Sequence, residues 1–180
     1  MQKYIVPAVV AMTICMTSVM HAQEPSVSKT TPRPERDKLA LFAGRWSAEA
    51  DFKSSKTSSG GKSSWTEACE WFEGKYALIC HTEGDFGGRP VREISVMAYD
   101  ATGKAYIYFE TNDRNESDLW LGTIDGDTWT WSERGTSQGK PTSMRFTQRV
   151  SADSINFKLE SAVNDAPFQL IMDGKQTRQK

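Results

Sequence analysis

The chain has 180 residues, and its 22 Lys and Arg residues nearly balance its 23 Asp and Glu residues, which leaves a formal net charge of −1. Because the basic residues are not clustered, this balance argues against nucleic acid or an anionic membrane surface as the main partner. The length is sufficient for one domain with a sizeable core.

Residues 1–22 have the pattern of a cleaved secretory signal. Lys3 supplies a short positive region, the run from Tyr4 to Met20 carries no charge, and Ala22 precedes the expected cut. An uncleaved membrane anchor is the alternative, but the apolar run is short for a span and contains Pro7. We therefore predict a periplasmic or secreted protein that has no membrane attachment after cleavage.

Residues 23–36 are rich in proline and have no apolar periodicity, which predicts a flexible linker. The folded domain is then expected to cover residues 37–180. Within it, only Asp37 to Ala43 has a helical pattern, and this is long enough for a turn or two.

From Arg45 onward, apolar residues recur with a period of two, as in Ile155, Phe157 and Leu159. This alternation is typical of half-buried strands in an antiparallel sheet, and residues such as Gly74 supply the turns between them. The predicted strands are 45–53, 63–72, 76–83, 91–99, 104–111, 117–124, 128–134, 142–150, 154–162 and 167–173.

Short strands joined by tight connections must protect the edges of their sheet, and closure into a barrel does so without outer helices. We predict an all-β fold: a single antiparallel up-and-down barrel of about 8–10 strands with a short N-terminal helical turn. A sandwich of two sheets is the alternative.

Removal of the signal leaves two cysteines, Cys69 and Cys80, in an oxidising compartment. If Gly74 and Lys75 form a two-residue hairpin loop, the cysteines lie opposite each other, which predicts a disulfide. With a two-residue loop, the cysteines form a hydrogen-bonded pair, and the Cα atoms of such a pair lie farther apart than those of a non-hydrogen-bonded pair. A bulge or a longer loop is therefore the alternative. The spacing suits neither zinc nor a redox pair, and no metal site is predicted.

A spaced set of motifs runs through the chain: LFAGRW (41–46), SWTEACEWFEGKYALIC (64–80), SVMAYDATGKAYIYFE (95–110), GTIDGDTWTW (122–131) and MDGKQTR (172–178). The first resembles the G-x-W entry of lipocalins and the wider calycin group. The whole set is similar to a lipocalin-like family of exported bacterial proteins that is classed only as a domain of unknown function.

This resemblance implies a barrel and brings no established activity. It also implies that Trp46 closes one end of the barrel and that Arg178 packs on its ring. Residues 161–168 depart from the family pattern and end in Pro167 and Phe168, which predicts a different rim on the last hairpin.

The chemistry-bearing residues do not assemble into a known catalytic motif, and no catalytic residue is predicted. His81 is the one histidine left after signal removal, and no G-x-S-x-G motif is present. No cofactor is predicted. The alternatives for His81 are an axial haem ligand, as in nitrobindin-like barrels, and a solvent-facing side chain.

Glu67 shares its strand face with Trp65, so an inward Trp65 would bring this carboxylate into the lumen. A buried carboxylate without a partner has a raised pKa. The expected partner is Arg92 or Arg114, and plain exposure is the alternative.

All six tryptophans lie outside the signal, and most of the aromatic residues after it lie on predicted strands. Such side chains can line a pocket for an apolar or aromatic ligand, or they can fill a small barrel completely. The candidate ligand-binding residues are Trp65, Glu67, Trp71, Tyr106, Tyr108, Trp120, Trp129, Trp131 and Phe146.

Three functions are compatible with these observations. The preferred one is a non-catalytic barrel that binds a small hydrophobic molecule. The second is an interaction or inhibitor protein with a filled core that works through loops such as 54–62 or 84–90. The third is a calycin-type isomerase or cyclase that uses Glu67 and a tyrosine. The sequence does not indicate an oligomeric state.

Overall fold

The structure is a computed structural model, and it describes residues 34–55 and 59–180. The expected signal at 1–22 and most of the expected linker lie outside these residues. A short helix α1 (Pro34–Asp37) leads into a 3-10 turn, Lys38–Leu41. The strands that follow are β1 (Gly44–Phe52), β2 (Gly61–Trp71), β3 (Ala77–Asp85), β4 (Pro90–Asp100), β5 (Ala105–Asn112), β6 (Ser117–Asp125), β7 (Thr128–Ser137), β8 (Lys140–Val150), β9 (Ser154–Val163) and β10 (Gln169–Arg178).

The strands form one closed barrel in which each strand pairs with its neighbours in the sequence. All pairs are antiparallel, and β1 closes the barrel against β10 through pairs such as Trp46 with Arg178. The predicted all-β up-and-down barrel is therefore confirmed, and the sandwich alternative is wrong. In the described part of the chain, every helix is too short or too polar to cross a bilayer.

The predicted strands are all present, with differences at their ends. The last strand is Gln169–Arg178 rather than 167–173, with a register shift between Leu170 and Met172. Pro167 cannot donate to a ladder, which explains why pairing starts after it. At the other terminus, α1 begins at Pro34, so residues 34–36 belong to a helix rather than to the linker.

The predicted disulfide between Cys69 and Cys80 is present, and it joins facing residues of β2 and β3. The predicted two-residue loop is wrong. Phe72 N–H donates to Ala77 O at 2.9 Å, so the loop is longer by two residues. The facing residues are those that were predicted, but the hydrogen-bonded and non-hydrogen-bonded pairs change places. The cysteines are therefore a non-hydrogen-bonded pair, and their Cα atoms are accordingly only 4.0 Å apart.

The N-terminal segment closes the end of the barrel where β1 begins, which we call the closed end. Trp46 Nε1 donates to Phe42 O at 2.8 Å, and the Arg178 guanidinium carbon lies 4.1 Å from the Trp46 ring centroid. The same guanidinium donates to Leu41 O at 2.9 Å and to Ala43 O. Gly44 is required here, because its φ is +120° and a Cβ would lie 2.5 Å from Arg178 Nη1.

The core of the closed end is a continuous cluster of buried side chains. Trp46, Trp129 and Trp131 are at most 1% exposed, and Phe42 packs edge-on against Trp129 at 4.9 Å. Gly122 on β6 leaves the space for Trp131, since a Cβ there would lie 2.5 Å from the indole ring. A second, smaller cluster lies in the other half of the barrel and contains Ala48, Ala50, Trp65, Phe157 and Met172.

Candidate functional site

The other half of the lumen contains a cavity of about 370 Å³. It reaches the end where β1 ends and β2 begins, which we call the open end, because Phe52, Phe86 and Arg114 from that end are among its lining residues. Five of the predicted ligand-binding residues line it: Trp65, Glu67, Tyr108, Trp120 and Phe146.

The remaining candidates do not line the cavity. Tyr106, Trp129 and Trp131 are buried in the closed-end cluster, and Trp71 packs against that cluster. Polar atoms of this cluster form hydrogen bonds within the protein: the Tyr106 hydroxyl donates to a Glu35 carboxylate oxygen at 2.9 Å. Alternation along a strand predicts which side chains point into the barrel. It does not predict where along the barrel axis the packed core ends and the cavity begins.

One wall of the cavity is apolar. Trp65 stacks on Phe86 with ring centroids 4.5 Å apart and packs on Phe157 at 5.5 Å. Phe146 lies 5.8 Å from Phe157, so an aromatic surface continues from β2 across to β8. The aliphatic lining residues of this wall are Met144, Leu159 and Met172.

The opposite wall is acidic, and the strand register explains why. Glu67, Thr82 and Glu93 face one another across β2, β3 and β4, so they form one row on the inner surface. Glu110 faces Asp118 across β5 and β6. We call Glu67, Glu93, Glu110 and Asp118 the acidic belt, and all of them line the cavity.

Glu67 points into the lumen as expected, but its predicted partners are wrong. Gln176 Nε2 donates to Glu67 Oε2 at 2.6 Å. Arg92 instead pairs with Glu83 at 3.2 Å, and Arg114 pairs with Glu116 at 2.8 Å. Burial raises the pKa of Glu67, and the Gln176 bond only partly opposes this effect.

Other carboxyl groups of the acidic belt also have raised pKa values. Burial, followed by the charges of Glu110, Glu67 and Asp118, raises the pKa of Glu93 to about 8. Burial likewise raises the pKa of Glu110, against hydrogen bonds from Tyr108 and Trp120. The Trp120 indole donates to Glu110 Oε1 at 3.1 Å, which fixes this carboxyl group in place.

The acidic side continues toward β7. Burial raises the pKa of Glu133 to about 7, helped by the charge of neighbouring Asp118. Burial also raises the pKa of Asp118 itself, and the two side chains are hydrogen-bonded to each other. In addition, burial raises the pKa of the Tyr108 hydroxyl well above its ordinary value. At neutral pH Glu93 therefore holds a proton in the empty protein, so its carboxyl group can donate as well as accept hydrogen bonds, and a cation placed beside it would favour its ionised form.

Most of the acidic belt is absent from the residues predicted from the sequence, although a signal is present. Glu110 lies two residues after Tyr108, and Asp118 lies two residues before Trp120, so each shares the inward face of an aromatic candidate. Glu93 is likewise on the face of buried Met97. The same alternation along a strand that places Glu67 beside Trp65 therefore predicts that these residues point inward as well.

His81 lies on the outer surface of β3, where it is exposed, and it is not among the described residues that line the cavity. This orientation favours the solvent-facing alternative over a haem ligand in the lumen. Near it, Glu67, Cys69 and Cys80 place ligand-type atoms within 4.8 Å of one another. Because the two sulfurs are bonded to each other, they are not available as thiolate ligands.

With the geometry established, the chain was compared with known proteins. Residues 31–178 match a family described as "Protein of unknown function (DUF1579)". The chain belongs to this family. The family carries no assigned activity, which agrees with the resemblance drawn from the sequence motifs.

A search of curated proteins gives no match. Among solved structures, the crystal structure of Rv2717c from M. tuberculosis is similar, with a TM-score of 0.57 and 15% sequence identity. The match covers 82% of this chain and 99% of that chain. At this identity the similarity shows that the two proteins share a barrel fold.

Proposed function

We propose that this protein is an exported, non-catalytic barrel that binds a small molecule with an apolar or aromatic body. Its location in the periplasm or outside the cell, and its placement among the lipocalin-like calycins, are parts of this proposal. The disulfide between Cys69 and Cys80 supports an oxidising compartment.

The observation that carries the proposal is the cavity of about 370 Å³ at the open end. Pockets of about 300–1,000 Å³ with mostly apolar walls and a few placed polar groups are typical of small-molecule sites. The stack of Trp65 on Phe86 presents a flat aromatic surface at the side of this cavity.

Tryptophan fluorescence tests the proposal, because Trp65 and Trp120 line the cavity whereas Trp129 does not. Titration with an apolar dye or a medium-chain alcohol is expected to change the emission of the wild-type protein. The change should be reduced in a Trp120→Phe variant and retained in the matched closed-end variant Trp129→Phe. An emission that no apolar probe alters would contradict the proposal.

A second candidate function is protein interaction, and an apolar patch outside the barrel favours it. Leu119 and Leu121 on β6 are 55% and 54% exposed, and Phe109, which faces Leu119 from β5, is 41% exposed. Ile94 on β4, one strand further, is also 41% exposed. Exposed apolar side chains that adjoin one another mark association sites. The patch lies on the side of the barrel rather than in the loops at 54–62 or 84–90. We expect self-association through it, and sedimentation velocity of a Leu119→Ser and Leu121→Ser variant is expected to show less dimer.

A further inference from the structure

The two walls of the cavity differ in chemistry in a way that defines a ligand class. Met144, Phe146 and Leu159 on β8 and β9 form an apolar side, whereas Glu93 and Glu110 on β4 and β5 form an acidic side. A ligand that satisfies both sides must have an apolar body and a polar group that suits carboxylates.

The acidic belt is not balanced by the protein's own cations. Arg89 and Arg114 are the basic residues among the described residues that line the cavity. Arg114 already donates two hydrogen bonds to Glu116, at 3.1 and 2.8 Å. Over residues 34–55 and 59–180, no ion pair joins a basic side chain to any member of the acidic belt. Carboxyl groups that are partly removed from water without a counter-charge are costly to ionise, and a cation among them would relieve this cost.

Gln176 gives an independent indication. Its side chain lines the cavity and is only 5% exposed, and its Nε2 is held by Glu67. Its Oε1 is buried and makes no hydrogen bond. A buried acceptor without a partner costs free energy, so this atom is a place for a ligand N–H or O–H group.

Aromatic faces beside the acidic belt add to the attraction. Trp65, Tyr108 and Trp120 line the same cavity. Indole and phenol rings attract cations through their negative faces, and the attraction is strongest where water is excluded. The combination of carboxylates, aromatic faces and an unpaired acceptor suits a protonated nitrogen.

We propose that the ligand of this lumen is an amphipathic organic cation, namely an amine whose ammonium group binds the acidic belt and Gln176 while its apolar body packs on the β8 and β9 wall. This inference rests on the proposed function, because it requires that the cavity bind a small molecule at all. An anionic ligand is the rival, because Arg114 Nη1 is buried without a hydrogen bond. The acidic belt outweighs this single donor, whose charge is already paired with Glu116.

Three probes of equal length separate these cases: octylammonium, octanoate and octanol. Each is titrated into the disulfide-intact protein at neutral pH, the two ions below their micelle concentrations and octanol below its solubility limit. Calorimetry and tryptophan emission report the binding. Octylammonium is expected to bind about tenfold more tightly than octanol, which corresponds to one charge-assisted hydrogen bond. Octanoate is expected to bind no more tightly than octanol, because its carboxylate finds no cation within the acidic belt and is repelled by any member of the belt that is ionised.

Variants locate the ammonium site. Glu93→Gln and Glu110→Gln each replace a carboxyl group that a neighbouring ammonium ion would hold in its ionised form by an amide of nearly the same shape. Each is expected to lower octylammonium affinity about tenfold without changing octanol affinity. Gln176→Leu is expected to act in the same direction. Glu70→Gln is the matched control, because Glu70 is exposed on the outer face of the same strand that carries Glu67.

The outcomes distinguish this inference from the proposed function. If octanol and octanoate bind but octylammonium has no advantage, or if the Gln variants leave its advantage intact, the cation proposal is wrong and the binding function stands. If octanoate binds most tightly, Arg114 selects the ligand and the cation proposal is also wrong. If no probe binds, both proposals fail.

Discussion

The two ends of this barrel are built from the same alternating strands, yet their interiors differ. At the closed end, Trp46, Trp129 and Trp131 are at most 1% exposed, and the indole nitrogens of Trp46 and Trp131 both donate hydrogen bonds within the protein. Along the cavity, the acidic belt has no basic partner among the described residues, and Gln176 Oε1 has no hydrogen bond. The closed-end indoles therefore have partners inside the protein, whereas the carboxyl groups of the cavity have no counter-charge.

The difference shows how one scaffold separates stability from binding. Satisfied, close-packed side chains stabilise the fold, and the disulfide and the Trp46–Arg178 contact lie at that same end. Unsatisfied buried groups destabilise the empty protein and become favourable only when a ligand supplies their partners. The closed end therefore provides the stability that allows the cavity to keep carboxyl groups without a counter-charge.

The largest expected effect is the loss of a ring from the closed end. Trp129→Ala should lower the free energy of unfolding by about 3–5 kcal/mol, because a fully buried indole leaves a cavity that its neighbours cannot fill. Phe146→Ala should cost clearly less, since Phe146 already borders empty space. Equilibrium urea denaturation of both variants measures the difference, and equal losses would show that the two ends are packed alike.

The second effect comes from the disulfide that joins β2 to β3. Replacing both Cys69 and Cys80 by Ala should lower the free energy of unfolding by about 2–3 kcal/mol, because the unfolded chain regains the entropy of an open loop. Binding of octanol to the folded variant should remain unchanged, because neither cysteine lines the cavity. A collapse of binding in a variant that still folds would mean that the two ends are not independent.

Most of the fold could be predicted from the sequence, because each strand has its own alternation of apolar and polar residues. The alternation of Ile155, Phe157 and Leu159 predicts a strand whatever its partner, and the sequential order of short hairpins predicts closure. The hairpin loop after Trp71 is two residues longer than predicted, although Cys69 faces Cys80 as expected. Gly74 and Lys75 alone do not determine which facing pairs are hydrogen-bonded, because this depends on the bond from Phe72 N–H to Ala77 O.

The candidate site was less predictable, and the reason is physical. Period-two alternation gives the face of each side chain but not its height along the barrel axis. Trp120 and Trp131 therefore looked equivalent in the sequence, although Trp120 lines the cavity and Trp131 fills the closed end. The partner of Glu67 could not be predicted either, since Gln176 lies 109 residues away and meets it only when β1 pairs with both β2 and β10.

The smallest expected effect, when taken over a single pH unit, is a pH dependence of stability that arises from the acidic belt. The pKa of Glu93 is raised from 4.5 to about 8 by burial and by the charges of Glu110, Glu67 and Asp118, while Arg114 acts in the opposite direction. The folded protein therefore holds a proton on Glu93 between about pH 4.5 and pH 8, where the unfolded chain has released it. Because the folded state binds more protons in this window, stability is fully present below pH 4.5 and falls as the pH rises to about 8.

Urea denaturation at several pH values in this range tests whether the free energy of unfolding falls as the pH rises. One group contributes a slope of at most about 1.4 kcal/mol per pH unit, so Glu93→Gln should flatten the decline by no more than that amount. A decline should remain in the variant, because burial raises the pKa of Glu133 and of Glu110 as well. Glu70→Gln should leave the profile unchanged. A wild-type protein whose stability rises with pH through this window would mean that the acidic belt already has counter-charges, and the contrast between the two ends would not hold.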